Sequence, residues 1–310
     1  MFQRKHLLGI EGLKREEIDH ILDVADSMVE VSKRSVKKVP ALRGKTVVNL
    51  FFEPSTRTRI SFEVAAKRLS ADLINFSGST SSLSKGESFR DTVLNLEAMH
   101  PDIFVVRHGA AGAPDYLTTF SDCSVVNAGD GFHEHPTQAL LDALTMRQHK
   151  GKLDDLKITI VGDILHSRVA RSNIFLLTRY NTRVVLSGPP PLVPEEFINM
   201  GVEIEYNLDK AVENSDVVMM LRIQKERQTG SFFPSIREYR KYYQLNKERL
   251  KKADKDAIVM HPGPINRGIE LMKEIADSER SVILNQVSNG IAVRMAVLYL
   301  ISGGGDEINN

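Results

Sequence analysis

The segment FFEPSTRTRI, residues 51–60, sets Ser55, Thr56, Arg57, Thr58 and Arg59 directly before an apolar-periodic run of Ile60, Phe62, Val64, Ala65 and Leu69. That periodicity predicts a helix with Ser55 at its N-cap. A helix start carries partial positive charge and favours acids, yet this one places Arg57 and Arg59 there. An anion would reconcile the two. Free backbone N–H groups, hydroxyl donors and a planar guanidinium all suit phosphate oxygens. Solvated arginines on an exposed helix start are the plainer alternative; the whole set together favours phosphate.

Other candidates also follow short apolar runs. Arg107-His108 follow IFVV, GDGFHEHPTQ follows SVVN, His166 and Arg168 follow ITIV, Arg222 and Gln224 follow DVVMML, and HPGPINRG follows AIVM. In open α/β sheets ligands bind beyond the carboxyl ends of strands, so this recurrence of cations and amides points to substrates with several negative charges. In HEHPTQ, Pro136 suits the first helical position. His135 before it and Gln138 one turn on can donate hydrogen bonds to a reacting carbonyl oxygen. Two other readings stand beside this one: His135 simply caps the helix, or Asp130, His133 and His135 hold zinc. The sequence lacks H-x-x-x-H here and its lone Cys123 cannot build a thiolate site, so no metal is expected. The polar segment SGSTSSLSKGES is either a surface loop or a lid that brings Ser82 and Lys85 over an anionic ligand.

Several chemistries are disfavoured. VGDILHSR lacks G-x-G-x-x-G, and neither G-x-x-x-x-G-K-[ST] nor G-x-S-x-G occurs, which argues against NAD binding, a P-loop ATPase and an α/β-hydrolase. No nucleophilic Ser or Cys stands out. Catalysis would then rest on positioning and on stabilising a developing oxyanion, with no cofactor.

The elements that must position these residues are legible in outline. Buried-strand runs occur at 46–52, 103–106, 124–127, 158–161, 183–186, 216–221 and 257–260. Helical patterns lie between them, with helices at 16–31 and 291–301. This alternation predicts an α/β protein of two doubly wound domains, each with a central parallel sheet flanked by helices. The 310 residues fit two domains, and the net charge of +1 gives no field toward nucleic acid or an anionic membrane. No apolar run approaches the roughly 20 residues of a membrane helix. One cysteine suits a reducing compartment, and a cytoplasmic protein is expected.

FFEPSTRTR, SLSKGES, VVRH, HPTQALLD, RIQKER and HPGPINRG, in this order along nearly the whole chain, resemble the aspartate/ornithine carbamoyltransferase family. The resemblance implies a carbamoyl phosphate-binding domain at 1–134 plus 290–310 and an L-aspartate-binding domain at 135–289. It implies transfer of the carbamoyl group to the α-amine of L-aspartate, a step of pyrimidine biosynthesis, by direct attack through a tetrahedral intermediate. Ser55, Thr56, Arg57 and Thr58 would hold the phosphate. Arg107, His135 and Gln138 would address the carbamoyl group, with Thr58 and Arg107 polarising its oxygen. Ser82 and Lys85 would reach in from a neighbouring subunit of a homo-oligomer, commonly a trimer. The SLSKGES loop is one residue shorter before its lysine than in some members, which makes Ser81 the alternative to Ser82. Arg168, Arg222 and Gln224 would bind the aspartate carboxylates, and the backbone carbonyls of Gly263 and Pro264 would meet the carbamoyl and amino groups. The resemblance leaves open whether regulatory chains or a dihydroorotase associate.

Two rival readings remain. An ornithine-specific member would typically carry an S-M-G loop and an H-C-L-P turn, where this sequence has RIQKER and HPGP. A non-catalytic sensor of a phosphate ligand could keep PSTRTR while losing the groups that act in the transition state; His135, Gln138, Lys85 and the HPGP turn are all retained.

Overall fold

The computed structural model describes residues 3–77, 87–223 and 235–304. The chain divides into two compact units, Met1–Leu144 with Ser288–Asn310, and Thr145–Val287.

The first unit opens with helix α1 (Arg15–Lys33) and then alternates strand and helix: β1 (Thr46–Phe51), α2 (Thr56–Arg68), β2 (Asp72–Ser77), α3 (Phe89–Glu97), β3 (Ile103–His108), α4 (Ala113–Thr118) and β4 (Ser124–Asp130). The strands pair in parallel in the order β2-β1-β3-β4. β1 and β3 are the continuous apolar runs of the sequence because helices cover both their faces. β2 lies at the sheet edge with Asp72, Ile74 and Asn75 exposed; it lacks such a run, so the sequence reading passes over it. At the other edge Leu7 bridges Val126, its N–H donating to the Val125 carbonyl at 2.8 Å. The N-terminal segment thereby covers backbone groups that β4 would otherwise present unpaired. Val48, Leu50, Phe104, Val106 and Val125 from the strands pack with Val93, Leu117 and Cys123.

The register of β3 against β4 shifts between Val106 and His108: Val106 faces Asn127, but His108 faces Asp130. The extra residue on β4 falls at Ala128-Gly129, where Gly129 takes φ +119°. Such a bulge re-aims the side chain opposite it, and that side chain is Arg107.

α5 (Pro136–Lys150) follows β4, and the division between the units falls within it. The second unit continues with β5 (Lys157–Val161), α6 (Arg168–Leu177), β6 (Arg183–Ser187), β7 (Glu203–Ile204), α7 (Leu208–Ala211), β8 (Val217–Met220), α8 (Ile236–Tyr243), α9 (Lys247–Leu250), β9 (Ile258–Met260) and α10 (Lys273–Ala276). Its parallel sheet has the order β7-β6-β5-β8-β9. Val161, Val218, Met220 and Val259 meet Leu245 and Leu271 in its core. β7, a two-residue edge strand, is the other element the sequence reading misses. α11 (Ile283–Tyr299) closes the fold, and its residues from Ser288 belong to the first unit. The doubly wound α/β architecture expected from the alternation is therefore present in both units. No described helix is long and apolar enough to cross a membrane.

Cys123 is buried against the first sheet, and burial pushes its thiol pKa up to about 11. The neutral thiol is thus favoured in the folded protein; any stability linked to it is complete below the ordinary thiol pKa and is lost as pH rises toward 11. Native protein at pH 8 should resist a thiol-specific reagent for as long as it stays folded, and one thiol per chain should appear on denaturation. Rapid stoichiometric labelling of the native state would contradict this placement.

Candidate active site

The carboxyl ends of β1, β3 and β4 line one edge of the first sheet, and the charged residues collect there. α2 begins just past β1, with Ser55 as its N-cap in extended conformation (φ −160°) and no cap hydrogen bond from the Ser55 side chain. Its first turn holds no acid. The first N–H groups of such a helix have no intrahelical acceptor. Thr56 and Arg57 are exposed and Thr58 is buried at 9% exposure. Arg59 adds the smallest of the contributions that lower the Glu63 pKa, which the Lys67 hydrogen bond dominates.

Arg107, re-aimed by the bulge, lies across the sheet edge. Its Nη2 pairs with Glu53 Oε1 at 2.8 Å and its Nη1 donates to the Ala128 carbonyl at 3.2 Å. Glu53 follows β1 and Ala128 belongs to β4, so the guanidinium is fixed from both sides. The sequence reading did not anticipate this ion pair. His108, beside it, packs between Phe52 and Phe89 with ring centroids 5.3 and 5.2 Å away. Its Nδ1 accepts the Ala110 N–H at 2.9 Å, and burial lowers its pKa. It shapes the turn after β3.

The acids of GDGFHEH serve the loop. Asp130 accepts from Gly112 N–H at 2.7 Å, Asn127 Nδ2 at 2.8 Å and Glu134 N–H at 3.1 Å, and meets His133 Nδ1 at 3.0 Å. The Glu134 carboxylate accepts the Ile10 and Glu11 N–H groups. A Cβ on Gly9 would collide with Glu134 Oε1, so a larger residue there would displace the carboxylate that holds the N-terminal segment. Among the described residues no three His, Cys, Asp or Glu side chains are arranged to hold a metal ion; Asp130 and His133 serve each other. His135 is buried at 4% exposure, and its carbonyl accepts from the Gln138 and Ala139 N–H groups at the start of α5. Pro136 is the first residue of that helix. Gln138 Nε2 donates to Asp142 Oδ1 at 3.0 Å within α5.

In the second unit the same device recurs past β5. Gly162 takes φ +132°, where a Cβ would lie 2.9 Å from the Leu221 carbonyl oxygen. Asp163 Oδ1 meets His166 Nδ1 at 2.8 Å, and Ser167 caps α6 by accepting the Ala170 N–H. Arg168, the first residue of α6, is buried at 3% exposure, and the first turn contains no acid. Arg222, half-buried, follows β8. Past β9 the HPGP turn is held by groups the sequence reading did not name. His261 N–H donates to Gln286 Oε1 at 2.9 Å, and Gly263 N–H donates to His261 Nδ1 at 2.8 Å. The His261 ring proton therefore sits on Nε2, which meets Glu270 Oε1 at 3.2 Å; Glu270 also accepts the Asn266 N–H. Gly263 takes φ +66°, a conformation that favours glycine, and precedes Pro264. A turn so pinned can present backbone carbonyls in fixed directions. Ser82, Lys85 and Gln224, with the alternative Ser81, lie outside the described residues.

Comparison with known proteins gives this arrangement relatives. Residues 5–148 match the family model described as aspartate/ornithine carbamoyltransferase, carbamoyl-P binding domain, and residues 154–301 match aspartate/ornithine carbamoyltransferase, Asp/Orn binding domain. The aspartate carbamoyltransferase catalytic subunit of Syntrophotalea carbinolica is 57% identical over 98% of this chain and 97% of its own. That of Sorangium cellulosum is 58% identical over 100% of this chain and 96% of its own. Among solved structures, aspartate transcarbamoylase from Trypanosoma cruzi in complex with carbamoyl phosphate and aspartate superposes with TM-score 0.87 at 31% identity, covering 96% of this chain and 97% of that one. Ornithine carbamoyltransferase from Pyrococcus furiosus superposes with TM-score 0.85 at 30% identity, covering 96% and 97%.

Proposed function

This chain belongs to the aspartate/ornithine carbamoyltransferase family, and we propose that it transfers the carbamoyl group of carbamoyl phosphate to the α-amine of L-aspartate, giving N-carbamoyl-L-aspartate and phosphate. The fold by itself does not choose between aspartate and ornithine, since structures of both kinds superpose equally well. The observation that carries the choice is the second acid-free helix start: α6 opens on the buried cation Arg168. Both amino acids offer an α-carboxylate, but aspartate adds a second carboxylate where ornithine adds an ammonium, so Arg168 together with Arg222 beyond β8 suits aspartate. The 55–58% identity to catalytic subunits named for aspartate supports the same choice.

In the reaction so read, Ser55, Thr56, Arg57 and Thr58 bind the phosphate at the start of α2. Arg107, Thr58 and His135 donate to the carbamoyl oxygen, and Gln138 meets the carbamoyl nitrogen. Arg168, Arg222 and Gln224 take the aspartate carboxylates, and the Gly263 and Pro264 carbonyls accept from N–H groups. The neutral α-amine attacks the carbamoyl carbon, forming the C–N bond. The carbonyl π electrons move onto oxygen, giving a tetrahedral oxyanion that the prepositioned donors stabilise. As the oxyanion collapses, the C–O bond to phosphate breaks and phosphate departs with that electron pair. The surplus amine proton passes to the leaving phosphate. Arg107 suits its part because Glu53 and Ala128 hold it before any charge develops. These steps need no metal or organic cofactor.

The same reading places Ser82 and Lys85 in the site of a neighbouring subunit of a homotrimer, in a cytoplasmic enzyme of pyrimidine biosynthesis. Arg57→Ala and Lys85→Ala chains, each inactive alone, should regain part of the wild-type rate when subunits are exchanged, because hybrids contain intact sites. No recovery after demonstrated exchange would remove Lys85 from a shared site.

The direct test supplies carbamoyl phosphate with L-aspartate or L-ornithine in parallel. N-carbamoyl-aspartate should form with L-aspartate, and little citrulline with L-ornithine. Citrulline as the main product would overturn the roles of Arg168, Arg222 and Gln224. Neither product, with carbamoyl phosphate still bound, would favour the sensor reading.

A further inference from the structure

Two titratable side chains lie in the core of the second unit and are not used in the proposed chemistry: His261, at 1% exposure, and Glu270, at 0%. Buried polar groups are costly to leave unmatched, so the partners they keep show what they do. Glu270 Oε1 accepts twice, from the His261 ring at Nε2 (3.2 Å) and from the Asn266 N–H (2.6 Å). Its other oxygen meets no donor among the described residues. Its backbone carbonyl accepts the Leu245 N–H at 2.9 Å. Three segments thus meet at one residue: the end of β9, the loop beyond HPGP and the stretch after α8.

That loop is tied a second time. Gln244 Nε2 donates to the carbonyls of Gly268 (2.7 Å) and Ile269 (3.0 Å), and Arg249 Nη1 donates to the Gln244 carbonyl at 2.6 Å. Glu270 is therefore held in place independently of the ring it faces. The ring carries the constraint onward. With its Nε2 proton directed at Glu270, its Nδ1 accepts the Gly263 N–H at 2.8 Å and fixes the peptide plane that enters Gly263. An imidazole has two broad orientations about its last torsion. A half-turn would put carbon atoms at both places and lose both bonds, so Glu270 selects one orientation.

We propose that Glu270 is a positioning residue for the reacting groups: it sets the His261 ring, the ring holds the Gly263 N–H, and the Gly263 and Pro264 carbonyls are thereby aimed at the N–H groups of the attacking amine and the carbamoyl nitrogen. It acts as a hydrogen-bond acceptor rather than as a charge, because both bonds end on one oxygen and an amide oxygen could receive them equally. The proposal rests on the assignment of Gly263 and Pro264 in the function proposed above. Absence of turnover by the unsubstituted chain would remove that assignment, whereas an active chain indifferent to Glu270 would remove this inference alone.

The experiment is steady-state kinetics with carbamoyl phosphate and L-aspartate for the unsubstituted chain, Glu270→Leu and Glu270→Gln, with inhibition by succinate measured alongside and native fold checked by circular dichroism. Succinate carries both carboxylates of aspartate and lacks the amine. Glu270→Leu removes the acceptor at similar size; kcat should fall about 10-fold or more, the scale of a misplaced contact at the reacting centre, while the succinate inhibition constant moves less than about 2-fold. Glu270→Gln supplies an amide oxygen in place of Oε1 and should keep kcat within about 3-fold of wild type. A merely structural role predicts otherwise: a loosened second unit would weaken succinate together with turnover, since Arg168 and Arg222 belong to the same unit. A folded Glu270→Leu with wild-type kcat, a parallel loss of succinate inhibition, or a Glu270→Gln as slow as Glu270→Leu each overturns the proposal. Should Glu270→Leu not fold, His261→Asn keeps an oxygen near the place of Nδ1 and lacks a group that reaches Glu270. Its kcat should fall about 3-fold or more at an unchanged succinate inhibition constant, and a wild-type kcat would overturn the link through the ring.

Discussion

Everything in this molecule turns on how a cation can sit at the start of a helix. The backbone N–H groups there already present partial positive charge, so an arginine in the first turn adds like charge to like. α2 does this with Arg57, and α6 does it with Arg168; neither first turn holds an acid. Both helices begin beyond a strand at the interior of its sheet, where parallel pairing lines up the carboxyl ends. In the function proposed above, a phosphate at α2 and a carboxylate at α6 would turn two local conflicts into two binding sites. The remaining architecture holds these starts and the donors around them in place.

The supporting charges are mostly spent on the protein itself. Asp130, a possible zinc ligand by sequence, and its neighbour Glu134 have their oxygens taken up by the N–H groups of Gly112, Ile10 and Glu11 and by the His133 ring. They lock the loop that delivers His135. Glu270 and Gln286 do the same for the HPGP turn. Exposed pairs such as Arg183–Glu203 and Arg267–Asp277 are of another kind; water and salt screen them, and they contribute little. The buried set matters more because an unmatched buried charge costs several kcal/mol.

Much of this is legible in the sequence itself. Strands covered on both faces betray themselves as apolar runs, so β1, β3, β5 and β8 were readable, as was the start of α5 at Pro136. β2 and β7 were not, because an edge strand is half exposed and its pattern is diluted. The helix at PSTRTR and the order of the motifs were local signals that survive translation into one dimension. The pair Glu53–Arg107 was not legible because its partners lie far apart in sequence, and Glu270–His261, nine residues apart, was not legible because the irregular turn between them gives no periodicity to read.

The most direct measurement is calorimetric titration of inorganic phosphate into the wild-type chain and into Arg57→Ala. Inorganic phosphate lacks both the carbamoyl group and the carboxylates, so it reads the α2 start alone. The account predicts saturable binding to the wild type that weakens about 10-fold or more in the variant, as expected for loss of a charge-assisted phosphate contact. Equal affinity for both chains would contradict it, and would mean that the arginine at the helix start is there for some reason other than an anion.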